Sequence, residues 1–185
     1  MKEYPPRVQV DEKGRAIGPI EYAYAHQKER SGERERHMVI NGFIFEDASE
    51  ENLLVQSRGG KEISGGQGKL DISFGGHFHW VNGKAESMKD VAKQRVQEEL
   101  FYKKPLPDLE FILIEEFLKQ TREFDKEYVC FLKTHYPGPF FMNPSQMTGA
   151  SFQKIDFILE EIRKNPEDYT RAIRLELPRY IEMRG

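Results

Sequence analysis

Two adjacent carboxylates, Glu98 and Glu99, stand near the end of a segment with helical periodicity, and a third, Glu86, lies just ahead of it. Neighbours on a helix are about 100° apart, so both can serve one cation only if it sits between them. Magnesium takes oxygen ligands, keeps waters and commonly joins a few carboxylates to a substrate phosphate, so this trio suits a metal-bound diphosphate. The plain alternative is a solvated acidic helix face, where a Glu-Glu pair is common. Cys130 is the single cysteine, which excludes an intramolecular disulfide and a multi-cysteine zinc site. Any metal must therefore use carboxylates, histidines, backbone or water. Cys130 itself lies in an apolar strand run and reads as a buried, inert thiol.

The elements that position these groups are legible as alternations of period. Met88, Ala92, Val96 and Leu100 recur every four residues with Val91 beside them, predicting a helix over Ser87 to Leu100 that Pro105 and Pro107 cannot extend. Val8 to Val10 and the DEKGR turn predict a short hairpin, and HMVINGFIF and NLLVQSR predict adjacent strands. LDISF leads as a strand into Gly75-Gly76-His77. LEFILIEEFL and EYVCFLKTHY predict a further strand pair. Ile155, Ile158, Leu159 and Ile162 form one stripe of a helix from roughly Phe152 to Lys164, and a second helix is expected over about Glu167 to Tyr180. Strands and helices in this order predict mixed α/β layers with the sheet covered by helices.

A chain of 185 residues is expected to form a single domain over 1–185, with an N-terminal extension or hairpin in 1–36 and C-terminal helices in 151–185. The 38% hydrophobic content supports a core, and the 32% charged residues carry both signs, as on an ordinary globular surface. A net charge of −3 gives no general reason to expect nucleic-acid binding. No run is apolar and long enough for a signal peptide core or a bilayer span, so no membrane association and a cytoplasmic location are expected. The glycine-rich stretch before Leu70 is not a phosphate-binding P-loop, since Leu70 follows Gly68-Lys69 and Ile63 occupies the first glycine position.

Gly75 to Phe101 resembles the Nudix box, G-x5-E-x7-R-E-U-x-E-E-x-G-U, where U is a bulky apolar residue. Glu98 and Glu99 match its paired carboxylates, Glu86 the isolated one and Val96 the apolar U. Trp80 falls at the first glycine, Gln94 at the arginine, Arg95 at the next glutamate and Phe101 at the last glycine. Over about Val10 to Lys133 the chain is similar to the isopentenyl-diphosphate isomerase-like branch of that superfamily. VDEKGRAIG, Ala25-His26, His37 at the start of a strand, LLVQSR, GKLDIS and GGH follow the branch's order.

The resemblance implies a Nudix fold, an α/β/α sandwich with a mixed sheet, and Mg2+ or Mn2+ as cofactor. It implies metal ligands Glu86, Glu98 and Glu99, or alternatively the branch's set, matched here by His26, His37, His77, Asp125 and Glu127. Glu98, Glu99 and Glu127 are the candidate catalytic groups. Arg58, Lys61 and Lys69 could contact phosphate, and Trp80, with Phe78 and His79, could form a stacking wall. The implied activity is metal-dependent hydrolysis of a small organic or nucleoside diphosphate, and a homodimer is possible in this family. One alternative is a non-catalytic ligand-binding or regulatory module, suggested by Gln94, Arg95 and Phe101. Another is an isomerase-type enzyme, although Gly75 stands where that branch carries its catalytic cysteine.

Overall fold

The computed structural model describes residues 5–21, 36–59, 66–122 and 125–185. The elements run β1 (Arg7–Val10), β2 (Ala16–Ile20), β3 (Arg36–Phe45), β4 (Asn52–Arg58), β5 (Leu70–Asp71), β6 (Phe74–His77), β7 (Trp80–Val81), β8 (Lys84–Ala85), α1 (Met88–Leu100), β9 (Ile112–Arg122), β10 (Asp125–His135), β11 (Met147–Lys154), α2 (Ile155–Lys164) and α3 (Arg171–Arg184), with a 3-10 turn at Pro166–Asp168. Strand pairing follows the order β11-β4-β3-β1-β2, with β10 beside β3 and β9, β5 beside β4 and β6 beside β3. Among the described residues no helix is long and apolar enough to cross a membrane. The chain gathers into two compact units, one from Met1–Asn41, Gly75–Gln94 and Phe111–Leu132, the other from Gly42–Phe74, Arg95–Glu110 and Lys133–Gly185.

In the first unit β1 and β2 form the expected hairpin. Asp11 makes the turn, its Oδ1 accepting from the backbone N–H of Lys13 at 2.9 Å and of Arg15 at 3.0 Å. Gly14 has φ +76°, and the Tyr128 ring lies where a Cβ would project, so both conformation and space require glycine. Residues 80–85 form a second hairpin. Asn82 and Gly83 have φ 51° and 80°, the left-handed pair that a two-residue type I′ turn needs. Ser87 then begins α1, its hydroxyl oxygen accepting from the Asp90 N–H at 3.2 Å.

In the second unit the core is built from Phe43, Phe45, Leu53, Leu54, Phe74, Val96, Leu100, Ile158, Ile173 and Leu177, all buried. Phe101, at the glycine position of the box pattern, is a core aromatic here, with ring centroids 5.4 Å from Tyr136 and 6.0 Å from Phe140. Gln97 closes the end of α1, donating from Nε2 to the carbonyls of Phe101 at 2.6 Å and Lys104 at 2.7 Å. Three expectations need correction. β11 runs Met147–Lys154 and takes in the residues from Phe152 where the helix was expected to start, and α2 begins at Ile155. The last helix is Arg171–Arg184, preceded by the 3-10 turn, rather than 167–180. β9 starts at Ile112, because Pro105, Pro107 and the chain around them stay irregular.

Glu50 ties α3 to the β3–β4 connection. Its carboxylate accepts from Lys133 Nζ at 2.7 Å, is 2.9 Å from His135 Nε2 and accepts the Tyr180 hydroxyl, while Arg184 donates to the Glu50 carbonyl at 3.1 Å. Burial pushes this carboxyl up, but the hydrogen bonds from Lys133, Tyr180 and His135 outweigh it and hold it below its ordinary value of 4.5. Its stabilisation is therefore present above about pH 4.5 and lost as pH falls through the lowered folded value. Glu50→Gln is expected to cost about 2 kcal/mol at pH 7 and to flatten the acid limb of thermal melts recorded between pH 3 and 7.

Candidate functional site

The strands of the first unit alternate between an apolar and a polar face. Val8, Val10 and Phe78 are buried on the first. Arg7 and Gln9 therefore project to the second, and strand register extends that face: Gln9 stands opposite His37, and Arg7 bridges to His79. The His37 and His77 rings stack, with centroids 5.2 Å apart and 19° between planes.

On this face His37 from β3, His77 from β6 and Glu127 from β10 each offer one donor atom, and the three atoms lie within 4.8 Å of one another. Donors held about 2.1 Å from a common ion lie up to about 4.2 Å apart, so a side-chain adjustment of roughly half an ångström would close the set. Two imidazoles and one carboxylate suit a first-row ion such as Mn2+ better than Mg2+, which favours all-oxygen shells. His37 has no exposed surface. Lys119 stands beside the set, its Nζ 3.6 Å from a Glu127 carboxylate oxygen, and is 6% exposed. Of the five-residue set implied by the resemblance, three therefore meet. His26 and the side chain of Asp125 lie outside the described residues.

Glu86 is engaged by His79. One carboxylate oxygen of Glu86 accepts from the His79 N–H at 2.9 Å and lies 3.1 Å from His79 Nδ1, while the Glu86 N–H donates to the His79 carbonyl at 3.1 Å. Arg7 Nη1 reaches His79 Nε2. A guanidinium can only donate, so Nε2 accepts and the imidazole proton sits on Nδ1, toward Glu86. Trp80, next in sequence, is half-buried in β7 opposite Ala85, and its backbone N–H donates to the Pro6 carbonyl at 2.9 Å. Cys130 lies 3.5 Å from Glu116, and burial, followed by the Glu116 charge, pushes its thiol up to about 12. It is too weak an acid to act as a thiolate.

The box carboxylates of the second unit have different surroundings. Glu98 pairs with Arg95 at 3.1 Å. Glu99 is buried and accepts from Gln56 Nε2 at 3.0 Å. Burial pushes its carboxyl up to about 7, against the opposing Gln56 hydrogen bond and the Arg95 charge. Arg58, expected at phosphate, forms a 2.7 Å ion pair with Asp71, which also accepts the Thr170 hydroxyl. Lys69 is half-buried beside β5, and Lys61 lies outside the described residues. Sequence reading named neither Arg7 nor Lys119, because a polar residue within a strand run belongs to no local motif. Strand register identifies their face.

No family model matches the chain, and no curated protein matches it. Solved structures do. DR0079 from Deinococcus radiodurans superimposes with a TM-score of 0.69 at 19% identity, covering 94% of this chain and 97% of its own. A Nudix hydrolase from Alicyclobacillus acidocaldarius gives 0.58 at 12% identity, covering 83% and 97%. The Nudix domain of Shewanella oneidensis NrtR, in complex with ADP-ribose, gives 0.56 at 9% identity, covering 88% and 96%. Identities this low speak to architecture alone. The chain has the mixed α/β Nudix fold.

Proposed function

We propose that this protein is a divalent-metal-dependent enzyme that hydrolyses a small organic diphosphate, with its metal held by His37, His77 and Glu127. The observation that supports the reading is the meeting of these three donors, His37 buried and His77 and Glu127 half-buried, within 4.8 Å in the first unit. It differs from the box-centred expectation because Glu86 is bonded to His79 and Glu98 to Arg95. A bound divalent ion would supply Lewis acidity toward phosphate oxygens and acidify water. The chain's own residues orient the donors: the His37 and His77 rings stack, and the Lys119 Nζ stands 3.6 Å from a Glu127 carboxylate oxygen. In the reaction a water oxygen bonds to phosphorus and the bridging phosphorus–oxygen bond breaks. Support for the ligand class comes from the NrtR Nudix domain, which binds the diphosphate ester ADP-ribose on this fold. Hydrolysis is preferred over isomerisation because Gly75 brings no acid to the position where the isomerase-like branch has a cysteine.

Purified protein with Mn2+ should release phosphate or a monophosphate from at least one member of a broad diphosphate panel, at a rate lowered at least 100-fold in His77→Ala. A second reading, a binding module without turnover, is favoured by the Arg95–Glu98 pair, which places a cation where hydrolases of this fold carry a carboxylate. Ligand-dependent thermal stabilisation with no product from the whole panel would select that reading.

A further inference from the structure

We propose that a groove beyond the end of α1 binds small planar aromatic carboxylates, with the rings against Phe101, Tyr136 and Phe141 and the carboxylate on Lys104. The inference stands on the second unit alone and does not rest on the metal reading above. The groove has a volume of about 400 Å³, and every residue that lines it belongs to that unit. An apolar cavity of about 150 Å³ takes one benzene ring, so this volume admits a two-ring body. Phe141 is exposed, as are Tyr102 and Met142 next to lining residues in the chain, so a ligand here would cover apolar surface that folding leaves in water.

The chemistry of the walls selects the ligand. Pro105 and Pro107 have no N–H to offer, and the backbone around them is already paired. The Tyr102 N–H donates to the Phe141 carbonyl at 2.8 Å, the Phe141 N–H to the Leu100 carbonyl at 2.7 Å and the Lys104 N–H to the Phe101 carbonyl at 3.1 Å. Gln97 Nε2 donates to the Phe101 and Lys104 carbonyls, and the Tyr136 hydroxyl to the Pro139 carbonyl at 3.4 Å. The groove therefore presents rings, proline faces and Leu106, which suit a flat apolar body better than a sugar or a peptide, whose polar groups would go unpaired. The aromatic floor is preformed. Phe101 is buried and edge-on to Tyr136, which is itself edge-on to Phe140 at 5.5 Å, so little side-chain freedom is lost on binding. Lys104 is the one charged residue in the lining. Its Nζ stands 5.3 Å from the Phe141 ring centroid and forms no ion pair among the described residues. A carboxylate on a ring stacked against Phe141 would meet this ammonium, and one cation matches one negative charge.

The test titrates the 15N-labelled full chain, without metal and at low salt, with three probes of one shape: 2-naphthoate, 2-naphthylmethanol and 2-naphthylmethylammonium. The amide signals of Lys104, Leu106, Tyr136 and Phe141 should shift together with 2-naphthoate. The carboxylate should bind about fivefold more tightly than the alcohol, as the stronger exposed ion pairs yield, and the ammonium probe more weakly than either. Lys104→Gln should abolish the preference for the carboxylate and leave the affinity for the alcohol unchanged. Phe141→Ala should weaken both at least fivefold. Both positions are exposed, so the variants should melt as wild type does. If Phe141→Ala melts early, Phe141→Leu, which keeps the bulk without the ring, takes its place and should weaken both at least twofold. Shifts scattered outside the groove, or equal affinities for the three probes, would mean an adventitious additive only and overturn the proposal. Association that broadens the groove signals without ligand and disappears in Phe141→Ala would also overturn it, assigning the groove to a second copy of the chain. No metal is added, so failure here leaves the metal reading untouched.

Discussion

Glu127→Gln is expected to weaken Mn2+ binding at least 100-fold in titration calorimetry at pH 7, about 2.7 kcal/mol. The substitution keeps the shape and one oxygen donor but removes the only negative charge among the three donors that meet at the site. Loss of residues that merely orient metal ligands already costs 10–100-fold elsewhere, so loss of a charged ligand should reach at least the upper end of that range. His37→Ala should do the same by a different route, removing an imidazole from a fully buried position and leaving space in its place. The Glu127 variant also removes the charge that stands 3.6 Å from the buried Lys119 Nζ, which should lower metal-free stability. Affinity and stability therefore need separate measurement. An Mn2+ affinity within threefold of wild type in a folded Glu127→Gln protein would contradict the assignment.

Glu99→Gln should make the metal-free protein more stable at pH 8 and change it little at pH 5. The folded-state carboxyl is raised to about 7, chiefly by burial, from an ordinary 4.5. Between those values the folded protein holds a proton that the unfolded chain has released, so stability is full below about pH 4.5 and lost as pH rises through about 7. A shift of this size corresponds to roughly 3 kcal/mol, an upper figure for what the neutral variant recovers. Glutamine retains an oxygen for the Gln56 Nε2 donor and never ionises. Urea unfolding at the two pH values measures the difference. Equal destabilisation at both would contradict the burial account. Stabilisation of wild type but not Glu99→Gln by Mg2+ at pH 8 would return Glu99 to the metal-binding role implied by the box. Glu50 has the opposite sign, so the two carboxylates bound stability from opposite ends of the pH range.

The elements with strong periodicity were legible in the sequence. Val91, Ala92, Val96 and Leu100 predicted α1 almost to the residue, and the long apolar runs predicted β3, β4 and β10. β11 was not legible, because Met147 is its only buried residue. It is a strand by virtue of backbone pairing to β4 from Met147↔Arg58 to Lys154↔Asn52, a constraint that side-chain pattern does not reveal. The Asn82-Gly83 turn is a readable hairpin signal that the sequence analysis did not use. At the site, spacing could nominate His37, His77 and Glu127 only through family likeness, since they come from three strands distant in sequence. The placing of Arg7 depends on its bridge from β1 to His79, that of Lys119 on β9 lying beside β10, and the Glu86–His79 bond on the β7–β8 hairpin, none of which a local motif encodes.

The central claim is that nitrogen from two histidines, rather than an all-carboxylate set, holds the metal. Pulsed electron paramagnetic resonance of the full chain loaded with one equivalent of Mn2+ tests it directly, comparing natural-abundance protein with protein labelled with 15N at histidine. The account predicts imidazole nitrogen couplings that change on labelling and diminish in His77→Ala. Bound Mn2+ with no nitrogen coupling, as expected for a site made of Glu86, Glu98 and Glu99, would contradict it.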